Sequence, residues 1–152
     1  MHTYHFTHPV SYGFDEAVAR VTEALSAFKA WLAQCRAAGM RLGAYGAAAK
    51  GNTLLNYARI TSELIEKVTE VNQFKIGRMT PGTHIPIVDE RMAGDPPDYY
   101  LVLSWNFLDY FISKYKEFLM RGGKFIVSID WKSDSPKYCK PTLAARDMKS
   151  WK

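Results

Sequence analysis

The sequence has few of the residues that build zinc modules and no segment that would cross a membrane. It contains two cysteines, Cys35 and Cys139, and no CxxC pair, which excludes a zinc knuckle. So few cysteines are typical of a reducing compartment. No apolar run approaches the roughly 20 residues of a membrane-spanning helix, and the N-terminus lacks a signal-peptide pattern. We therefore predict a cytoplasmic protein without membrane partners.

Recognisable catalytic sets are also missing from the sequence. No Ser–His–Asp arrangement, reactive-cysteine context or catalytic pair of carboxylates stands out. His2, His5 and His8 are evenly spaced, but no carboxylate or cysteine joins them. We therefore predict no catalytic residue and no metal ligand in this chain.

The composition indicates a folded domain with a basic surface. Of the 152 residues, 47% are hydrophobic and 14% are aromatic, and the formal net charge is +5. A chain of this size and composition can bury a substantial core. The basic residues are scattered, apart from a thin cluster within residues 132–152, so we expect no nucleic-acid partner.

Apolar spacing predicts a long N-terminal helix that begins near Asp15 and ends before Gly39. Its stripe recurs every three or four residues: Val18, Val21, Leu25, Phe28, Leu32 and Cys35. Residues 1–14 have no clear period and are interpreted as an arm or linker. The domain proper is assigned to residues 15–131, and residues 132–152 to a basic tail.

Short apolar runs alternate with helical patterns along the rest of the chain. Strands are predicted at 42–45, 67–71, 84–88, 99–104 and 124–129, and further helices at 52–65 and from Leu108 to Leu119. This alternation predicts an α/β, Rossmann-like domain with a largely parallel sheet and helices on both faces, preceded by the long helix.

The loop Gly46-Ala-Ala-Ala-Lys-Gly51 is the most informative segment. A strand, a small-residue loop and a helix start form an anion cradle, because small residues let a phosphate approach backbone N–H groups. Lys50 adds a positive charge, and Asn52 or Thr53 is predicted to cap the helix. The loop is neither a P-loop nor a GxGxxG motif. The alternative is a turn kept small for packing.

Further polar residues follow the predicted strands. Glu70 ends the second strand, where dinucleotide folds place a ribose-binding acid; the alternative is a solvated acid. Lys75 and Arg78 can neutralise a diphosphate. His84 either donates to a ligand or packs. Trp105, followed by Asn106, either stacks on a base or covers the sheet end.

Several separated blocks match one family in order and spacing. They are Tyr45–Tyr57, Lys75–Arg78, Pro81–Ile87, Pro97–Tyr99, Trp105-Asn106 and Gly122–Val127. Over roughly residues 40–130, the sequence resembles the C-terminal domain of the S-adenosylmethionine-dependent sugar C-methyltransferases, which act on keto-deoxysugars carried on a nucleoside diphosphate. Glu70 stands where that family usually has Asp.

The resemblance implies a nucleoside diphosphate-sugar-binding domain without the catalytic domain that binds S-adenosylmethionine. We expect this chain to bind no cofactor itself and to work with a methyltransferase domain in cis or in trans. The predicted substrate-binding residues are Gly46, Ala47, Ala48, Lys50, Gly51, Asn52, Thr53, Glu70, Lys75, Arg78, Gly82, Thr83, His84, Trp105 and Asn106. Two alternatives stay open: a stand-alone module for a dinucleotide or S-adenosylmethionine, and a non-catalytic interaction domain.

Overall fold

A computed structural model describes residues 7–127, with side chains from Gly13 onward. Helices and strands alternate after a long first helix, in the order α1 Thr7–Ala37, β1 Leu42–Tyr45, α2 Ala49–Ala58, β2 Val68–Glu70, β3 Ile87–Asp89, β4 Tyr99–Val102, α3 Leu108–Lys114, α4 Lys116–Met120 and β5 Lys124–Ile126. Short 3-10 helices cover Glu90–Met92 and Trp105–Phe107. The predicted α/β class and the long first helix are confirmed.

The five strands form one sheet in the order β3-β2-β1-β4-β5, and every pairing is parallel. The chain moves outward from the central β1 in one direction and then returns to continue from β4 on its other side. That reversal leaves a crevice at the carboxyl ends of β1 and β4, which is where ligands bind in open α/β sheets.

One face of the sheet is aliphatic and is covered by α1 and α2. Phe28 and Leu32 of α1 and Leu55 of α2 pack with Leu42 and Leu101 of the sheet, and all five are almost completely buried. The predicted stripe of α1 is confirmed from Leu25 onward, where Phe28, Leu32 and Cys35 are also buried. The removal of this apolar surface from water is the main stabilising contribution to the fold. The first two residues of the stripe, Val18 and Val21, are 43% and 47% exposed, so the first half of the stripe does not pack on the domain.

The other face is aromatic and is covered by α3 and α4. Tyr45, Tyr100 and Phe125 of the sheet pack against Phe111 of α3 and Phe118 of α4. The rings of Tyr45 and Phe111 meet edge to face at 4.6 Å between centroids, a favoured geometry for aromatic pairs. Helices on both faces are therefore confirmed.

Two helix starts were predicted wrongly. Helix α1 begins at Thr7 and not near Asp15. Pro9 does not prevent this, because it lies in the first turn, where its missing N–H has no helical acceptor. Helix α2 begins at Ala49, after an Ala48 that makes no side-chain cap.

The predicted capping role of Asn52 or Thr53 is therefore wrong, since both residues lie inside α2. The Thr53 hydroxyl instead donates back to the Ala49 carbonyl at 3.2 Å. The predicted end at residue 65 is also too late. Arg59 adopts a left-handed conformation with φ of 54° and ends α2, as residues at helix C-termini often do.

Other boundaries differ by a few residues. The predicted helix after Leu108 is divided at Tyr115 into α3 and α4, although its apolar stripe packs on the sheet as expected. The third strand lies at Ile87–Asp89, slightly later than predicted. Residues 1–6 and the predicted basic tail lie outside the described residues. None of the helices within 7–127 has the length and apolar character needed to cross a membrane.

Candidate functional site

Two glycines of the loop after β1 are favoured by close packing. Gly46 has φ of +80°, and a Cβ there would lie 2.3 Å from the Ser104 hydroxyl oxygen. A Cβ on Gly51 would lie 2.3 Å from the Cβ of Leu103, because α2 crosses directly over the end of β4. These contacts place the first turn of α2 in the crevice between β1 and β4. Packing and ligand access therefore favour small residues at the same positions.

The backbone N–H groups of this loop fall into two sets. Those of Gly46, Ala47 and Ala48 are used internally, by the Thr69 carbonyl at 2.9 Å, by a Glu70 oxygen at 2.7 Å and by the Gly46 carbonyl at 2.8 Å respectively. Those of residues 49, 50 and 51, in the first turn of α2, have no acceptor within the described part of the chain. Free N–H groups at a helix start attract anions.

Glu70 lies at the carboxyl end of β2 and is turned toward the backbone. One carboxylate oxygen accepts the N–H of Ala47 at 2.7 Å, and the other accepts the N–H groups of Val71 at 2.7 Å and Asn72 at 2.9 Å. The residue is only 7% exposed. The predicted acid is in the expected crevice, but its acceptor capacity is largely occupied by the protein.

The two predicted cations differ in their availability. The Lys75 ammonium donates to the Ala47 carbonyl at 2.7 Å and is therefore tied to the loop. Arg78 is exposed, and its Nε donates to the Phe74 carbonyl at 2.9 Å. Its two terminal nitrogens have no acceptor among the described residues, and neither has the exposed ammonium of Lys50. Arg78 and Lys50 are thus the cations free to meet an anion.

A cavity of about 370 Å³ opens beside this loop. Most of the lining residues are small or apolar, and three of the polar ones, Asn52, Lys75 and Arg78, were predicted from the sequence. The full lining is Ala47, Ala48, Ala49, Asn52, Leu55, Lys75, Arg78, Met79, Thr80, Pro81, Ile87 and Leu103. The Asn52 side-chain oxygen is buried and has no hydrogen-bond partner in the described structure. The loop after β1 and the segment after β2 therefore form one site.

The block after Pro81 supports the cavity wall. Asn56 of α2 donates to the Pro81 carbonyl at 2.9 Å. Gly82 has φ of +80°, which favours glycine, and a Cβ there would displace the Asn56 side chain from this position. The hydroxyls of Thr80 and Thr83 meet at 2.6 Å. Asn56, which the sequence reasoning did not select, could have been suspected because it lies within the matching block.

Ten of the fifteen predicted residues do not line the cavity: Gly46, Lys50, Gly51, Thr53, Glu70, Gly82, Thr83, His84, Trp105 and Asn106. The last three also belong to other parts of the surface or core. His84 is exposed and adopts a left-handed conformation with φ of 55°, but it does not line the cavity. Trp105 is 9% exposed and packs with Leu25 of α1 and Leu54 of α2, which fits the alternative that it covers the sheet end. Asn106 beside it is exposed.

The aromatic face carries a separate polar network. The Tyr45 hydroxyl donates to Glu90 at 2.7 Å, and Lys114 pairs with the same carboxylate at 2.9 Å. Burial, together with this hydrogen bond, raises the pKa of Tyr45. A cavity of about 580 Å³ lies on this side and is lined by none of the predicted site residues. Glu90 and Lys114 were not selected from the sequence, where nothing links them.

Within the part of the chain that the structure describes, no group of three or more His, Cys, Asp or Glu side chains is placed to hold a metal ion. Cys35 is a buried free thiol of the core, and burial raises its pKa. The cavity beside the loop after β1 is therefore taken as the candidate site.

Two comparisons with known proteins bear on this site. A family described as the C-methyltransferase C-terminal domain matches residues 5–130. The C-methyltransferase NovU of Streptomyces niveus is 42% identical over 92 residues, which make up 60% of this chain and 22% of that protein. The chain thus spans about a fifth of the length of the curated relative that it matches.

Proposed function

Because this chain belongs to the C-methyltransferase C-terminal domain family, we propose that it supplies the substrate-binding part of a sugar C-methyltransferase. In this proposal the cavity beside the loop after β1 receives a nucleoside diphosphate-sugar. The methyl group is transferred by a separate domain that carries S-adenosylmethionine, in cis or in trans.

The cavity of about 370 Å³ is the observation that carries the proposal. It unites the small-residue loop with Lys75, Arg78 and Pro81, which are far apart in sequence. Its largely apolar walls suit a base or sugar ring, and the unpartnered oxygen of Asn52 offers a hydrogen-bond acceptor. A nucleotide-sugar combines such rings with a charged diphosphate, so it matches both kinds of surface.

The diphosphate is assigned to the start of α2. Three free backbone N–H groups at residues 49–51 and the helix dipole favour an anion there, and the first turn of α2 has no acidic residue to oppose it. The exposed ammonium of Lys50 adds a mobile charge. The free terminal nitrogens of Arg78 provide a planar pair of donors suited to two phosphate oxygens.

The occupied carboxylate of Glu70 counts against the alternative of a dinucleotide or S-adenosylmethionine. A ribose diol bound at the end of β2 needs an acceptor there. Glu70 already accepts three backbone N–H groups. Ribose recognition at this position would require those hydrogen bonds to break. The residues present therefore suit a dinucleotide or S-adenosylmethionine less well than a substrate that is held through its diphosphate.

Calorimetric titration of the full chain tests this proposal with four ligands: thymidine diphosphate, thymidine diphosphate-glucose, S-adenosylmethionine and NAD. We expect the first two to bind and the last two not to. Lys50→Ala should weaken thymidine diphosphate binding between about tenfold and about a hundredfold, since a charge-assisted hydrogen bond contributes about 1.5–3 kcal/mol. Lys116→Ala on α4 removes the same charge at an exposed position and is the matched control.

The outcomes separate the three hypotheses. Tight S-adenosylmethionine or NAD binding would replace the proposal with a cofactor-binding module. Binding of none of the four ligands by a folded chain would favour an interaction domain. If Lys50→Ala and Lys116→Ala lose the same amount of affinity for thymidine diphosphate, the diphosphate does not lie at the start of α2.

A further inference from the structure

Ala47 is held at both of its backbone polar groups by charged side chains that come from the end of β2 and the segment after it. We propose that Glu70 and Lys75 are positioning residues, which fix the loop after β1 in the conformation that receives the diphosphate and do not bind the ligand themselves. This inference rests on the proposed function and assigns these two residues a role different from the direct contact expected from the sequence.

The geometry is a clamp on a single residue. The Ala47 N–H donates to Glu70 at 2.7 Å, and the Ala47 carbonyl accepts from the Lys75 ammonium at 2.7 Å. Both contacts involve an ionised group, which makes them stronger than hydrogen bonds between neutral groups. Ala47 stands two residues before the first turn of α2, so its orientation sets the direction in which the free N–H groups of residues 49–51 point.

The two side chains depend on each other. Glu70 also accepts the N–H of Asn72 at 2.9 Å, and the Asn72 carbonyl accepts the backbone N–H of Lys75 at 3.0 Å. The carboxylate therefore holds the turn that carries Lys75 as well as the loop that Lys75 contacts. Loss of either side chain releases the same residue, Ala47, so the two losses should not add.

A direct role for Lys75 makes the opposite prediction. If its ammonium bound phosphate, its removal would weaken binding independently of Glu70, and the effects on ligand affinity would multiply. In the present structure that ammonium is engaged by the protein, whereas Lys50 and the terminal nitrogens of Arg78 are free. The hydrogen bonds therefore distinguish Lys75, which holds the loop after β1, from Lys50 and Arg78, which are free to bind a ligand.

A double-mutant cycle on the full chain tests the clamp. The variants are Glu70→Gln, Lys75→Met and their combination, with Glu66→Gln and Lys116→Met as controls of equal charge change. Two quantities are measured: amide hydrogen exchange at Ala47 by NMR without ligand, and the affinity for thymidine diphosphate by calorimetry. Thermal melting and the dispersion of the NMR spectrum report whether each variant is folded.

We expect Ala47 to exchange at least about tenfold faster in Glu70→Gln, because the amide group offers one acceptor oxygen in place of two, and less so in Lys75→Met. Each single variant should bind thymidine diphosphate about tenfold more weakly, with no further loss in the double variant. The two controls should match the wild type in both measurements.

Two results would overturn the inference. Unchanged Ala47 exchange in Glu70→Gln and Lys75→Met would show that the contacts do not hold the loop. A roughly hundredfold loss of affinity in the double variant would show direct and independent ligand contacts. If the wild type binds no thymidine diphosphate, the proposed function fails, and exchange at Ala47 decides the clamp alone. If Glu70→Gln does not fold, Lys75→Met and its Lys116→Met control provide both readouts.

Discussion

Two glutamates at opposite ends of β2 are stabilised in opposite ways. Glu66 precedes the strand and pairs with the guanidinium groups of Arg41 at 3.1 Å and Arg36 at 3.3 Å. Glu70 ends the strand and accepts only backbone N–H groups. The first is a partly exposed acid among long, rotatable cations, and the second is a nearly buried acid among fixed donors.

The difference indicates that Glu66 contributes modestly to stability, whereas Glu70 fixes the conformation of the backbone around it. A side-chain ion pair near the surface tolerates rearrangement and is screened by salt, so it contributes little to a specific backbone path. A carboxylate that joins N–H groups from two segments fixes those segments relative to each other. The amino end of β2 is therefore expected to be replaceable, whereas its carboxyl end determines the shape of the candidate site.

The largest expected effect is that of Glu70→Ala on folding. The substitution leaves three backbone donors without an acceptor, and we expect a loss of about 2–4 kcal/mol in the free energy of unfolding. Urea denaturation measures it, with Glu66→Ala as the comparison at the other end of the strand. A loss below about 1 kcal/mol, or a loss no larger than that of Glu66→Ala, would contradict the contrast between the two acids.

A smaller effect is expected for Glu66→Gln. The hydrogen bond from Arg41, and the charges of Arg41 and Arg36, lower the pKa of Glu66. Its contribution, about 1 kcal/mol or less for a partly exposed pair, is therefore present above the unfolded-state pKa of about 4.3 and is lost as pH falls through the lower folded-state pKa. Urea denaturation of both proteins between pH 3 and pH 7 checks this.

The stability difference between wild type and Glu66→Gln should be constant near neutral pH and disappear in acid. It should also shrink in about 1 M NaCl, where surface charges are screened. A difference that persists at low pH and high salt would mean that packing, and not charge, distinguishes the two side chains.

The smallest expected effect is on the pKa of Asp89, which ends the neighbouring β3. This carboxylate accepts from a guanidinium, as Glu66 does, and from a backbone N–H, as Glu70 does. The Arg91 guanidinium and, secondarily, the Arg91 backbone N–H lower the pKa of Asp89 to about 2. In Arg91→Ala the backbone donor remains, so the pKa should rise but stay below its ordinary value. NMR titration of the carboxyl group measures this; a return to the ordinary value would mean that the backbone contact has no effect.

Apolar periodicity predicted most of the fold. The α1 stripe from Leu25 onward and the runs that became β1 and β4 pack as expected, because burial of apolar surface requires such spacing in helices and strands. Val18 and Val21, earlier in the same stripe, are exposed, because apolar spacing does not show where a long helix leaves the core. Helix ends were less accurate. Asn52 looked like a cap, but the turn at Gly46 and the close crossing at Gly51 start α2 three residues earlier, and such packing constraints are not visible in local sequence.

The sequence also allowed the crevice and the loops around it to be predicted, but it did not show which partner each side chain contacts. Parallel topology brought Glu70 and the loop after β1 together, as expected for carboxyl ends of adjacent strands. Whether a carboxylate faces a ligand or the backbone depends on a few ångströms of loop path. The same holds for Trp105, whose ring lies against α1 and α2, since an indole suits either a core or a base.

The connection between β2 and β3 contains no helix, and residues 71–86 instead run as turns along the cavity. The segment is joined to the rest of the domain by backbone and amide contacts, such as the one from Asn56 to Pro81, and by Ile85, which is fully buried in the core beneath α1 and α2. An engineered exchange of this segment therefore has to keep Ile85 for the core and Lys75 for the loop after β1. The exposed positions between those two residues are the ones that can be varied without disturbing the scaffold.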